Sequence, residues 1–418
     1  MADSGVYLDN AATTPPFPEA VAAVARAMES VYGNPSSRHR LGLDAANVVE
    51  RAREVVARSV GAEGSEIVFT GGGSEANNLA LKGAAWAYRR AGRRVVVTAV
   101  EHSSVLEPAR WLEEMGFEVV VVPVGSDGRA GLDDVLAVVT PETLVVSVMH
   151  VNNEVGAIQP VAALGRRLGA VRPTSGRRKG LPLLHVDAVQ SLGRLDVDVR
   201  ALGADLLTVS AHKVHGPKGV GALFVRRGVR LVPLVHGGGH EGGRRSGTEN
   251  VPGIAGFSVA LERMMALGPS EVSRRAADLR RRLVDAVREG WPRVVVNGPA
   301  PVGWRTGRTG GGEDAVAPHR EDTVAPHIVS LSFPGVPGEV MQQHLQARGV
   351  YVSTGSACGS HHRGRASHVL EAMGCPPDVA GSAVRVSFSP LNTADEVERA
   401  AGAMVEVARS LAQRRVGP

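Results

Sequence analysis

Short runs of apolar residues, many of them β-branched, alternate along the first part of the chain with segments whose apolar residues recur every three or four positions. The apolar runs predict strands, because continuous apolar strands are typical of a sheet covered on both faces. These strands are Glu66–Thr70, Arg94–Val100, Glu118–Val124, Thr143–Asn152, Leu181–Ala188, Leu206–Ala211 and Val220–Arg226. The periodic segments predict helices over Ser74–Arg90, Val105–Met115, Leu132–Val139 and Pro160–Val171. Such alternation indicates right-handed crossovers and a mostly parallel sheet.

The pattern changes after Gly253, where two helical segments precede shorter strands. The predicted helices are Ala255–Ala266, Glu271–Glu289, Gly338–Arg348 and Ala394–Arg414, and the predicted strands are Arg293–Asn297, His327–Phe333, Val350–Thr354 and Ala383–Pro390. We therefore predict an α/β protein with a large domain over residues 15–265, built on a mostly parallel seven-stranded sheet covered by helices. Residues 1–14 together with 266–418 are expected to form a smaller α+β domain.

Two segments, 172–180 and 298–326, lack this periodicity, and we interpret them as insertions. A loop as long as the second is typically either functional or mobile. Because Gly, Pro and charged residues dominate it, we expect a mobile insertion.

The composition fits a globular protein that is neither secreted nor embedded in a membrane. Of the 418 residues 43% are hydrophobic and 21% are charged, which is ordinary for such a protein. The two cysteines, Cys358 and Cys375, are too few for a disulfide framework or a cysteine-rich metal site. Because no signal peptide opens the sequence and apolar stretches such as Thr143–Val148 are too short to span a bilayer, we expect a cytoplasmic protein.

The net charge of +5 comes almost entirely from arginine, since only four lysines are present. No block of five basic residues occurs. The densest cluster, Arg280–Arg282, lies beside Leu279 and Leu283 in a helical pattern and reads as a solvated helix face. We expect no binding of nucleic acid.

Two polar residues follow predicted strands and are candidates for chemistry. Lys213 follows Leu206–Ala211, and lysine is the residue that forms Schiff bases with carbonyl compounds such as pyridoxal phosphate. Asp187 ends its strand, where a carboxylate can pair with a protonated pyridine nitrogen. The alternatives are a surface lysine in a hairpin and a helix N-cap aspartate.

A second pair of features suits a phosphorylated aromatic cofactor. Gly71–Gly73 lies between a strand and a helix that begins near Ser74, and a helix N-terminus with nearby glycines can bind an anion. His102, after the strand Arg94–Val100, can stack on a ring and carry protons. The alternatives are a simple turn capped by Ser74 and an ordinary loop histidine.

The C-terminal part adds a thiol and a buried cation. Cys358 lies between small residues, and the basic segment His361–Arg365 that follows it is expected to favour the thiolate. Cys375 reads as an inert cysteine at a helix end. Arg385, inside an apolar strand, requires a carboxylate partner, which is either a substrate's α-carboxylate or a structural salt bridge.

Together these residues resemble a known family. The chain is similar to the NifS/IscS-like cysteine desulfurases, which belong to the class V aminotransferase group of pyridoxal-phosphate enzymes of fold type I. The matching motifs occur in the family's order over nearly the whole chain: Tyr7–Thr14, Gly33–Ser37, Glu101–His102, His150–Glu154, His185–Gln190, Ser210–Lys213, Arg245–Thr248 and Gly355–Cys358.

The resemblance implies which residues would bind the cofactor, pyridoxal 5′-phosphate. Lys213 would hold its aldehyde, Asp187 its pyridine nitrogen and Gln190 its phenolic oxygen, while His102 would stack on the ring. Asn153 would line the site. The phosphate would be bound by Gly73, Ser74, Ser210 and His212, and by Thr248 of a neighbouring subunit, so a homodimer is implied.

The resemblance also implies the reaction. L-Cysteine would be held through its carboxylate by Arg385, helped by Asn34. Lys213 would move protons, Cys358 would accept the sulfur as a persulfide, and alanine would leave. An acceptor protein, in iron–sulfur cluster assembly, tRNA thiolation or another pathway, would then receive the sulfur.

Two other functions remain open at this level. One is a related pyridoxal-phosphate lyase acting on selenocysteine or a specialised biosynthetic substrate, and the other is a catalytically silent partner of a desulfurase. The chain departs from the family pattern at Ser74, where a threonine is expected, and at His361–Arg365, which is unusually basic.

Overall fold

The computed structural model describes residues 5–176, 179–299, 323–354 and 367–414. Its strands are β1 Val6–Tyr7, β2 Ile67–Thr70, β3 Arg94–Thr98, β4 Glu118–Val122, β5 Thr143–Met149, β6 Leu183–Asp187, β7 Leu206–Ser210, β8 Gly221–Val225, β9 Val295–Asn297, β10 Ile328–Ser332, β11 Val350–Tyr351 and β12 Ala383–Ser387. Its α-helices are α1 Pro18–Ser30, α2 Arg40–Ser59, α3 Gly73–Asn78, α4 Ala84–Tyr88, α5 Ser103–Glu114, α6 Leu132–Ala137, α7 Val161–Val171, α8 Val199–Leu202, α9 Val251–Leu267, α10 Pro269–Gly290, α11 Gly338–Gln346, α12 His368–Ala372, α13 Pro377–Ala380 and α14 Ala394–Arg414. None of the helices in these ranges has both the length and the hydropathy needed to cross a membrane.

A seven-stranded sheet forms the centre of the molecule, in the order β2-β8-β7-β6-β5-β3-β4. The run from β7 to β4 is parallel throughout, and only β8 runs against its neighbours β7 and β2. Separate clusters of buried aliphatic residues cover its two faces. The predicted α/β fold and all seven strands are confirmed, with ends that differ by a few residues.

Two long helices of the large sheet's covering layer were missing from the prediction. α1 and α2 pack against α9 and belong to the same core cluster as Phe257. The buried stripe of α2 consists largely of alanine and valine, such as Ala45, Val49 and Ala52. The apolar residues of α2 do recur with a helical period, so the sequence carried the signal for this helix and the prediction overlooked it.

The C-terminal part forms a smaller antiparallel sheet in the order β12-β10-β9, with α10, α11 and α14 packed on it. The N-terminal strand β1 pairs in parallel with β11. Beyond it, Ala11 donates its backbone N–H to the Ser387 hydroxyl at 2.8 Å. Residues 6–14 therefore lie between the small sheet and the edge of the large one.

The predicted solvated face at Arg280–Arg282 is wrong for one of its members. Arg281 and Arg282 pair with Asp278 at the surface, but Arg280 is only 2% exposed. Its guanidinium donates to the Ile328 carbonyl at 2.7 Å. The reason is positional: residue 280 falls on the same stripe of α10 as Leu283, Val284 and Val287.

The second insertion falls mostly outside the described ranges, which end at residue 299 and resume at Thr323. Its predicted mobility stays a prediction. The last residues of the insertion lie within the described ranges and are anchored, since Ala325 donates its backbone N–H to the Gly156 carbonyl at 2.8 Å.

Candidate functional site

The candidate residues collect at one edge of the large sheet, where its parallel strands end. Asp187 is the last residue of β6, Ser210 is the last residue of β7, and Gly71–Gly73 follows β2. β2 and β7 point the same way because both run antiparallel to β8. Ligands of open α/β sheets bind at this carboxyl edge.

Lys213 ends a short 3₁₀ turn, Ala211–Lys213, that follows β7. Its side chain is half-buried, and Nζ donates to the carbonyls of Ala11 and Ala12 at 2.7 and 2.6 Å. The ε-amine therefore lies against the N-terminal segment at the edge of the sheet, and not on a surface hairpin.

Asp187 is held by a side chain and by its own turn. Oδ2 accepts from Asn77 Nδ2 at 2.8 Å, and Oδ1 accepts from the Val189 backbone N–H at 3.0 Å. A turn follows, where the alternative interpretation required a helix. Asn77 also donates to the Ser104 hydroxyl at 2.8 Å.

His102 is the N-cap of α5. Its Nδ1 accepts from the Ser104 backbone N–H at 3.1 Å, so the neutral ring carries its proton on Nε2. Burial lowers the pKa of His102, and the charges of Lys213 and Arg385 lower it further, while Asp187 opposes them. The imidazole is therefore neutral at pH 7, and its Nε2–H can donate a hydrogen bond.

The glycine turn has a backbone that only glycine adopts readily. Gly72 has φ 149° and ψ 180°, and α3 begins at the next residue. A side chain at Gly73 would lie 3.1 Å from Val189 and 3.5 Å from Ser210. The Ser210 hydroxyl is buried and has no partner within the described ranges. Ser74 is exposed and caps nothing, because Gly72 is the N-cap.

The remaining predicted cofactor residues surround Lys213. Gln190 Nε2 donates to the Ala11 carbonyl at 2.9 Å. His212 Nδ1 lies 3.2 Å from the Thr13 hydroxyl, and burial, helped by Lys213, lowers the His212 pKa to about 4. Asn153 is buried after β5.

Arg385 on β12 faces this site from the small sheet. Its guanidinium donates to Asp9 Oδ1 at 2.8 Å and to the Asn153 carbonyl at 3.0 Å. Nε is buried and has no partner among the described residues. The structural salt bridge, one of the two alternatives at this residue, is present.

Some predicted residues are not brought to the site by the described contacts. Asn34 is exposed and its Oδ1 accepts from the Ser36 backbone N–H at 2.9 Å. Thr248 is exposed and lines a small pocket beside Gly71 of its own chain. Cys358, like the basic segment His361–Arg365, lies outside the described residues.

The two ends of the segment that carries Cys358 are nevertheless fixed beside Arg385. Ser353 exchanges backbone hydrogen bonds with Arg385, at 3.1 and 2.6 Å. Ser367, where the described chain resumes, donates its hydroxyl to Glu154. Cys375, further along, is half-buried, and burial raises its pKa, as suits an unreactive thiol.

Sequence reasoning missed several residues of the site. Asn77 and Ser104 link His102 to Asp187, and Asn77 lies in the glycine-turn motif four residues after Gly73, one helical turn along. Glu101 is fully buried and accepts from the Thr98 hydroxyl and the Met149 backbone N–H. Burial raises its pKa to about 8, so this carboxyl is mostly protonated at pH 7.

The chain matches the family model described as aminotransferase class-V over residues 6–307 and 314–400. It is 38% identical over 392 residues to a cysteine desulfurase IscS from Dictyoglomus turgidum, covering 94% of this chain and 91% of that protein.

Solved structures resemble it along almost the whole chain. A structure entitled NifS-like protein aligns with a TM-score of 0.84 at 35% identity, covering 97% of this chain and 100% of the other. A structure entitled SspA in complex with cysteine aligns with a TM-score of 0.75 at 31% identity, covering 93% of this chain and 99% of the other.

Proposed function

The chain belongs to the class-V aminotransferase family, and from that premise we propose that it is a cysteine desulfurase that uses pyridoxal phosphate bound at Lys213 and transfers the sulfur of L-cysteine to Cys358. The observation that carries the proposal is the meeting of an amine, a carboxylate and a neutral imidazole at one strand edge, beside a glycine turn. His102 is linked to Asp187 by hydrogen bonds through Ser104 and Asn77. Lys213 Nζ shares the Ala11 carbonyl with Gln190, three residues after Asp187, so the three groups lie close together.

The residues present fit pyridoxal phosphate. The turn at Gly72 leaves the first backbone N–H groups of α3 available to a phosphate, as at the start of any helix. The buried, unpartnered hydroxyl of Ser210 lies next to Gly73. Exposed Ser74, which follows the same turn, and the neutral His212, two residues after Ser210, would complete the phosphate site.

The cofactor, when bound, supplies an electron sink at the substrate's α-carbon. Asp187 would hold the pyridine nitrogen protonated, since Asn77 and the Val189 N–H fix its carboxylate in place. His102 would cover the ring face, and Gln190 would contact the phenolic oxygen, with Asn153 lining the site. Lys213 would hold and move the substrate's α-proton once its amine is free.

Arg385 would receive the substrate's carboxylate. Its guanidinium is held by Asp9 and Asn153, and Nε still has a hydrogen to donate. Asn34 would assist only if it approaches from a second subunit, because within one chain it caps its own turn.

Cys358 would accept the sulfur. It lies four positions after Thr354, which is beside the Arg385 strand, a chain reach of at most about 14 Å. Its thiolate would attack the substrate sulfur, the carbon–sulfur bond would break, and its electron pair would stay on the three-carbon fragment. That fragment takes up a proton and leaves as alanine, while Cys358 keeps the sulfur as a persulfide for an acceptor protein.

A homodimer follows from the same proposal. Thr248 is exposed, as a residue that reaches a partner's phosphate must be. The region of α1 and α2 also presents large apolar side chains to solvent, namely Val21, Met28, Tyr32, Leu41 and Leu43. Such a concentration is typical of a surface covered by another chain.

The test uses purified protein loaded with pyridoxal phosphate. Wild type is expected to show a visible cofactor band that borohydride fixes, and to release alanine and, with a reductant, sulfide from L-cysteine. K213A should lose the borohydride-stable link.

C358A should keep the cofactor and lose sulfur transfer, whereas C375A, the matched control, should retain both. A wild type that binds the cofactor but yields no alanine would contradict the proposal.

A further inference from the structure

Arg194 is a buried cation that no described carboxylate neutralises. It lies in the turn that follows Asp187, it is 1% exposed, and burial lowers its pKa to about 10. Its Nε and Nη1 have no hydrogen-bond partner among the described residues. Burying an unpaired guanidinium is costly, so its position calls for a physical reason.

The surroundings of Arg194 are basic. Its charge adds to burial in lowering the pKa of His215 and of His327. Arg280 also acts on His327, so two guanidinium groups share this part of the interior. Burial is the one cause of the lowered Arg194 pKa and no acidic side chain raises it, so an ion pair with a described acid does not hold this side chain in place.

A carbonyl of the lysine turn holds it instead. Arg194 Nη2 donates to the backbone carbonyl of Lys213 at 2.6 Å. The other side of that turn is fixed by backbone bonds from Val214 and Gly216 to the Ala211 carbonyl. A guanidinium hydrogen bond to a buried carbonyl is charge-assisted and stronger than a neutral one.

The turn that follows Asp187 is linked to Lys213 by a second contact. Gln190, four residues before Arg194, donates to the Ala11 carbonyl, which also accepts from Lys213 Nζ. The turn from Asp187 to Arg194 therefore contacts the backbone of Lys213 and shares the Ala11 carbonyl with its amine.

From these contacts we infer that Arg194 is a positioning residue. It fixes the Lys213 turn relative to Asp187, so that the Lys213 amine and the Asp187 carboxylate contact opposite parts of one bound ring. This inference rests on the proposed function, since it takes Lys213 and Asp187 as the two ends of the cofactor site. Arg194 itself touches neither substrate nor cofactor.

The test compares R194M with R280M. Arg280 is equally buried and also donates to a backbone carbonyl, but that carbonyl belongs to Ile328 at the start of β10 and not to the Lys213 turn. Three quantities are measured: the dissociation constant of pyridoxal phosphate for apoprotein, the circular dichroism of the bound cofactor's visible band, and kcat against KM for L-cysteine.

R194M is expected to weaken cofactor binding and to lower kcat by on the order of 10- to 100-fold, the effect of a small misplacement of a reacting group. The dichroism band should change, because it reports the orientation of the ring, while KM stays within about threefold. R194K, which keeps a donor on a shorter side chain, should give intermediate values. R280M should leave the three quantities near those of wild type.

Wild-type binding and dichroism in R194M, or an equal loss in R280M, would overturn the inference. If R194M does not fold, R194K is compared with R280K. The inference requires that the dichroism band of the bound cofactor change in R194K and not in R280K, and the same band in both variants overturns it. A wild type that binds no pyridoxal phosphate overturns the proposed function instead, so the two failures are distinct.

Discussion

A chain of hydrogen bonds runs from His102 through Ser104 and Asn77 to Asp187. Asn77 Nδ2 donates to both of its neighbours, so its amide orientation is fixed by two acceptors. The chain links the residue proposed to cover the ring with the residue proposed to hold its nitrogen. Asn77 therefore sets the relative position of both without contacting substrate.

Replacing Asn77 with alanine removes the side-chain donor from the Asp187 carboxylate. A hydrogen bond to a charged group contributes about 1.5–3 kcal/mol, so N77A should weaken binding of pyridoxal phosphate by roughly 10- to 100-fold. Titration of apoprotein with the cofactor, followed by absorbance, measures the change. N78A is the control, because the Asn78 side chain on the same helix donates to the Ser74 carbonyl and not to Asp187. Equal binding by N77A and wild type would contradict the assignment.

At the level of elements, the phosphate site depends on how closely β8 approaches the glycine turn. Thr70 of β2 and Ser210 of β7 both pair with Gly221 of β8, so the ends of β2 and β7 flank this glycine. A side chain at Gly221 would come within 2.8 Å of the Gly72 backbone. The close packing of β8 against the glycine turn therefore fixes the position of that turn, and with it the start of α3.

Substitution of Gly72 by alanine should damage this element specifically. At φ 149° a non-glycine residue is strained, by about 1–3 kcal/mol, although no atom lies within 4 Å of the added carbon. G72A should lose affinity for pyridoxal phosphate while binding phosphate-free pyridoxal as wild type does.

The matched control is G268A, at a helix junction with φ 79° and equally open space. It should be destabilised in thermal unfolding without any change in cofactor affinity. A loss of pyridoxal binding in G72A would show that the effect is not confined to the phosphate.

The whole molecule contains several histidines that burial keeps neutral. His185 lies inside the central sheet between the hydroxyls of Ser147 and Thr208, and burial lowers its pKa to about 3. His150 has its pKa lowered to about 4 for the same reason. In the unfolded chain these groups take up protons near pH 6.5. Below that pH the unfolded state binds more protons than the native state, so each of these histidines makes the fold less stable as the pH falls.

H185Q isolates one such contribution, since glutamine can still exchange hydrogen bonds with Ser147 and Thr208. Between about pH 6 and 4 the free energy of unfolding of wild type should fall relative to H185Q by about 1.4 kcal/mol per pH unit. Urea unfolding at several pH values measures it. In H236Q, which changes an exposed histidine, the free energy of unfolding should depend on pH as it does in wild type. The same pH dependence in H185Q and wild type would show that His185 is protonated in the folded protein.

Much of the candidate site was predictable from the sequence, because its members stand directly after strands. Asp187, Ser210 and Gly73 sit at strand ends, and parallel strands end at one edge of a sheet. Asn77, Ser104 and Arg194 could not be found in this way. Their roles depend on contacts between different elements of the fold, as that of Asn77 depends on Asp187, 110 residues away.

The sequence by itself determined the order and type of the main strands, the chemistry available at their ends and the family to which the chain belongs. Only the tertiary structure decided which groups meet: it turned Arg280 inward, paired Arg385 with Asp9 across 376 residues, and set Arg194 against the lysine turn. The reason is that periodicity records which face of an element is apolar, a local property. The partner of a buried charge is settled only when distant segments close around it and remove the water that would otherwise solvate it.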